Sequence, residues 1–107
     1  MTRQRPTSEP GVLPAEVILT GVVYELRELV MQRGVRSEEM IRVSGFFESA
    51  KALWIEMVAR DSIVAAAVAH RLKILADICP PELPDYRSRL RLAQELVEES
   101  DQRRKRA

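Results

Sequence analysis

The chain is poor in the groups that metal centres and nucleophilic sites are built from. It has one cysteine, Cys79, and one histidine, His70, so it has no Cys-Xaa-Xaa-Cys pair and no histidine pair at helical spacing for zinc or iron. A lone cysteine closes no intramolecular disulfide, which predicts a reducing, cytoplasmic setting. The four glycines, Gly11, Gly21, Gly34 and Gly45, stand far apart, which excludes a glycine-rich phosphate loop, and no Gly-Xaa-Ser-Xaa-Gly elbow occurs. No segment reaches the roughly 18 apolar residues of a membrane span, and the Met1–Pro6 stretch leads into no apolar stretch of a signal peptide. No membrane partner, cofactor, metal or small-molecule substrate is expected.

Aromatic residues make up only 5% of the chain, against a hydrophobic fraction of 46%. The core must then be aliphatic, which suits helices better than strands. The charged fraction of 31% and the hydrophobic fraction together describe a globular chain. The 107 residues suit one domain with a modest core. The formal net charge of +1 speaks against electrostatic capture of nucleic acid over the whole surface. The basic groups cluster at the two ends, Arg3 and Arg5 at one and Arg103, Arg104, Lys105 and Arg106 at the other.

Apolar spacing predicts an all-α fold, a four-helix bundle built as two antiparallel hairpins, with helices over about 14–33, 38–60, 62–79 and 85–103. Residues 1–13 hold Pro6, Pro10 and Gly11 among polar groups and read as a flexible arm. The helical domain follows over 14–104, and 105–107 end the chain as a basic tail. Pro14 opens the first helix, Leu19, Val22, Leu26 and Leu29 mark its apolar stripe, and Gly34 stops it. Ser37 is the expected N-cap of the second, whose line Met40, Val43, Phe47, Ala50, Trp54, Met57 keeps phase across Gly45. One uninterrupted helix is the simplest reading of that line, and a break at Gly45 is its rival. Val64, Val68, Leu72 and Leu75 mark the third helix, which Pro80 and Pro81 end. Asp85 is the expected cap of the fourth, with Tyr86, Leu90, Ala93 and Val97 on one side.

No catalytic set emerges. His70 falls in line with Ala66, Lys73 and Asp77 on the polar side of its helix, with Asp77 two turns away. Glu38/Glu39 and Glu98/Glu99 are sequence neighbours, pointing about 100° apart on a helix, so neither pair converges on a substrate. The expectation is a non-enzymatic helical interaction module. It would self-associate as a homo-oligomer or serve as an accessory protein subunit of a larger assembly. Phe46, Phe47, Trp54, Ala65 and Ala69 are the expected protein interface. A small helical enzyme using His70 is the remote reading.

The segment Tyr24 to Glu56 resembles a helix-turn-helix of the phage-repressor type. The likeness rests on Leu26-Arg27-Glu28-Leu29, Arg33-Gly34-Val35, Ser37-Glu38-Glu39-Met40, Ser44-Gly45-Phe46 and Trp54. It implies a turn at Gly45, with Phe46 and Trp54 as the apolar residues that follow it. The function implied is a DNA-binding regulator or phage-type packaging factor with a C-terminal oligomerisation hairpin. Ser44 and Lys51 would then meet nucleic acid together with Arg103, Arg104, Lys105 and Arg106. The chain departs from the pattern at Ile41, where a small residue is wanted, and at Lys51, where an apolar one is. Glu48 and Glu56 would face phosphate with like charge.

Overall fold

The computed structural model describes residues 14–59 and 65–106. They form four helices and no strand: α1 Pro14–Arg33, α2 Glu38–Ala59, α3 Ala65–Asp77 and α4 Pro84–Arg106. The arm over 1–13 and the expected start of the third helix, at 62–64 with Val64, lie outside the described residues.

Local chemistry accounts for the ends. Gly34 takes φ 71°, and its N–H donates to the Val30 carbonyl at 2.8 Å, a left-handed helix stop that only glycine makes without strain. Three residues on, the Ser37 hydroxyl accepts from the Met40 N–H at 3.1 Å and caps α2. The expected third helix runs to Cys79, but α3 stops at Asp77. Pro80 keeps the residue before it out of the helical region, so the chain tightens through Ile78 and Cys79. The expected cap Asp85 instead stands inside α4, whose first residue is Pro84. A proline there lacks only an N–H that has no partner in the first turn, and Asp85 remains where the helix dipole favours a carboxylate. At its far end α4 continues to Arg106, through residues expected to be tail.

Gly45 lies inside α2, so the second helix is uninterrupted. The turn that a helix-turn-helix requires is not there, which corrects that reading. Phase across the glycine is held by buried Val43 and Phe46 on one side of the helix.

The helices form a ring. α1 packs on α2 and on α4, α3 packs on α4, and a narrower contact joins α2 to α3. Among the described residues the diagonal pairs, α1 with α3 and α2 with α4, show no close approach of their backbones. Thr20 early in α1 meets Trp54 late in α2, whereas Val30 and Met31 late in α1 share a groove with Phe47 early in α2. These two helices therefore run antiparallel. The end of α3 likewise meets the first half of α4, through Asp77 with Arg91, and the Cys79 carbonyl just beyond α3 accepts from Arg87.

The core is aliphatic, with Leu19, Leu26, Leu72 and Leu90 fully enclosed. In α2 the buried line is Met40, Val43, Phe46, Ala50, Leu53 and Met57. Phe47 and Trp54, expected at its centre, are only half-buried at its margin. α2 has neighbours on two sides, and its buried face points between them, toward Phe46 and Leu53 rather than the residues beside them.

The end of the bundle where α3 turns into α4 is closed by polar contacts. Arg42 of α2 donates to the Glu82 carboxylate in the connection. The Cys79 thiol is buried there and donates to the Leu83 carbonyl at 3.3 Å. Burial pushes that thiol up from its ordinary pKa, against the pull of the Arg87 guanidinium. Glu82 is held below the ordinary carboxylate range, first by its own backbone N–H and then by the Arg42 hydrogen bond.

Two measurements test this arrangement. A Cβ at Gly45 would meet open space, so Gly45→Ala should raise unfolding stability by about 1 kcal/mol. Gly34→Ala should lower it by about 1–2 kcal/mol, because its backbone is left-handed. A loss of stability in Gly45→Ala, measured by urea unfolding, would return the turn. The second concerns acid. A carboxylate with a depressed pKa stabilises the fold above its unfolded value, about 4.3 for glutamate, and loses that effect as pH falls through the folded value. The melting temperature of the wild type should exceed that of Glu82→Gln near neutrality, and the gap should close with acidification. A gap independent of pH would remove Glu82 from the account.

Candidate protein-interaction groove

The core stripe of α1 leaves a second line of side chains on its outer flank, at alternating steps of three and four: Val17, Thr20, Tyr24, Arg27, Met31. α2 carries a matching line, Ser44, Phe47, Lys51, Trp54, Val58. The two run side by side in opposite directions and enclose an open groove of about 430 Å³. Its walls are Val23, Tyr24, Val30, Met31, Phe47 and Trp54, with Arg27 and Lys51 as its charged groups.

The register is fixed at one end by Trp54. Its indole N–H donates to the Thr20 hydroxyl at 2.9 Å, and that hydroxyl donates in turn to the Glu16 carbonyl at 2.7 Å. The polar edge of the indole is thereby satisfied, and the apolar ring remains at the groove wall. Tyr24 meets it edge to face, with centroids 6.4 Å apart. From that pair, three residues onward in α1 and three back in α2 bring Arg27 opposite Lys51. Four more on each helix bring Met31 opposite Phe47. The groove thus has three rungs: aromatic with aromatic, cation with cation, and methionine with phenylalanine.

Apolar exposure is high for a surface this small. Met31 is 66% exposed and Tyr24 54%, and Val17 and Val58 continue the strip toward the Thr20 end at 62% and 55%. The Lys51 ammonium lies 5.2 Å from the Phe47 ring centre and 3.2 Å from the Glu48 carboxylate. Arg27 has no ion pair or hydrogen-bond partner among the described residues.

The expected interface residues divide. Phe47 and Trp54 share the groove, whereas Phe46 and Ala69 are core residues at 3% and 5% exposure. Ala65, half-buried, begins α3 and packs against the core. Of the residues assigned to nucleic acid, Lys51 lines the groove and Ser44 is half-buried further along its line. Arg103 is exposed on α4 and pairs with Glu99 at 2.5 Å. The side chains of Arg104, Lys105 and Arg106 lie outside the described residues. Because α2 and α4 are diagonal in the ring, Ser44 and Lys51 are not brought together with Arg103. His70 is exposed on α3. No group of three or more metal-binding side chains is gathered among the described residues, and no described helix is long and apolar enough to cross a membrane.

Tyr24, Arg27 and Met31 were not among the expected site residues. Their signal is the spacing of Val17, Tyr24 and Met31, one apolar residue every seventh position on the flank opposite the core stripe.

Replacing the Thr20 hydroxyl by a methyl group isolates one polar atom. Thr20→Val should lower stability by about 1 kcal/mol, since the indole N–H loses its acceptor. It should also raise quenching of Trp54 fluorescence by acrylamide. Unchanged quenching would show that Thr20 does not fix the indole.

No family model matches the chain, and no curated protein or solved structure is significantly similar to it.

Proposed function

We propose that this protein is a non-enzymatic helical interaction module that binds a partner macromolecule through the groove between α1 and α2. The observation that carries the reading is the exposed strip of Tyr24, Met31, Phe47 and Trp54, in which the Trp54 indole N–H is already satisfied from within by Thr20. Burying such a strip is favourable at roughly 25 cal/mol per Å² of apolar surface, so a partner that covers it gains directly. Aromatic side chains and methionine are also the types enriched at the centres of protein interfaces.

The groove is built on helices rather than loops. Its aromatic wall is held by the Thr20 hydrogen bond and by packing of Phe47 and Trp54 on the core. A partner therefore meets a largely formed surface, which limits the ordering cost of binding. Catalysis would need polar groups converging on one point, and this groove offers two cations flanked by apolar walls.

Affinity capture from the source cells distinguishes a working groove from a bland one. Met31→Ser alters only an exposed position and should change stability by less than about 0.5 kcal/mol. It should lose a specific captured species, another protein or a differently tagged copy of the chain. Leu92→Ser, at a 50% exposed position on α4, should retain that species. Identical capture by both variants and the wild type would sink the reading.

A further inference from the structure

The middle rung says more about the occupant than the apolar walls do. Two like charges face one groove, Arg27 from α1 and Lys51 from α2, and no carboxylate is among the residues that line it. Lys51 is partly occupied by Glu48 and the Phe47 ring, while Arg27 has no partner among the described residues. A carboxylate entering between them would meet a guanidinium fork on one side and an ammonium on the other. Above and below that level the walls are apolar. The outer rungs are seven residues apart along each helix, roughly 10 Å at 1.5 Å per residue.

We infer that the groove takes an amphipathic α-helix whose two apolar anchors, two turns apart, flank an Asp or Glu on the same face. The inference rests on the groove being the binding face. A helix repeats side chains on one face at three, four and seven residues, the spacing of the rungs themselves. An extended segment covers 10 Å within about three residues, out of step with the seven-residue spacing of the rungs, and it has no sheet edge to pair with among the described residues. A second copy seated groove to groove would bring Arg27 and Lys51 onto their own counterparts, because a two-fold interface matches each patch with itself. Charge therefore favours a different, acidic segment over self-pairing by this face.

The test uses the full chain and three synthetic helices of about 18 residues, long enough to cover the groove with a turn to spare at each end. All carry leucines seven residues apart, and the two positions midway hold Glu, Gln or Lys. Trp54 is the only tryptophan, so its emission reports occupancy directly. The Glu peptide should shift that emission and bind about tenfold or more tighter than the Lys peptide, the gap shrinking as salt rises. Arg27→Glu/Lys51→Glu should reverse the order, and Arg27→Gln/Lys51→Gln should remove it, with helicity unchanged by circular dichroism. Equal binding of the Glu and Gln peptides overturns the inference. So does a shift produced by phosphatidylglycerol vesicles and by no peptide, or a dimer in sedimentation that Met31→Ser abolishes. If no peptide binds while capture still depends on Met31, the acidic helix is wrong and the groove reading survives. If capture is also indifferent to Met31, the groove reading falls with it.

Discussion

The antiparallel register of α1 against α2 is the constraint from which the rest follows. A left-handed glycine ends one helix and a serine caps the next three residues later, so the chain has almost no slack in which to change the pairing. The Trp54 to Thr20 hydrogen bond fixes the same register far from the turn. A slip of one residue would part that bond and would also dissolve the rungs, because Tyr24, Arg27 and Met31 would no longer stand opposite Trp54, Lys51 and Phe47. Stability and the groove are thus written in the same few contacts.

The remainder of the bundle supports this hairpin unequally. The contact of α1 with α4 carries the second hairpin, reinforced by Arg89 on Glu25 at 2.7 Å, with the Tyr86 hydroxyl also donating to that carboxylate. The narrow α2 to α3 contact has its own ion pair, Arg71 with Glu56, and the Arg42 to Glu82 contact pins α2 to the α3–α4 connection. These surface pairs are individually worth about 1 kcal/mol or less. The enclosed leucines are worth several times that each, with truncation to alanine costing about 2–5 kcal/mol. Burial therefore sets the energy of the fold, and the ion pairs adjust how its parts sit.

Much of the architecture was legible in the sequence because helix periodicity and stop signals are local. Gly34, Ser37 and Pro80 act on their immediate neighbours, and the apolar lines of α1, α3 and α4 place their buried faces directly. The site was less legible, and Phe46 shows why. Phe46 and Phe47 are equivalent as residue types, and only the direction of the neighbouring helices decides which is enclosed. The same holds for Trp54 beside Leu53. Half of the groove comes from α1, and no pattern within α2 names Tyr24 or Met31 as its opposite wall. The resemblance to a helix-turn-helix failed for a related reason: it required Gly45 to bend the chain, and the apolar line on either side of it gains more from continuing.

Cys79 gives this fold an internal clock. Its thiol is enclosed at the end where α3 turns into α4 and donates to the Leu83 carbonyl, in the same connection that the Arg42 to Glu82 contact ties to α2. A thiol reagent in water reaches it only when that end parts. With no second cysteine in the chain to compete, the labelling rate would time the breathing of one corner of the bundle, separately from the hairpin that holds the groove.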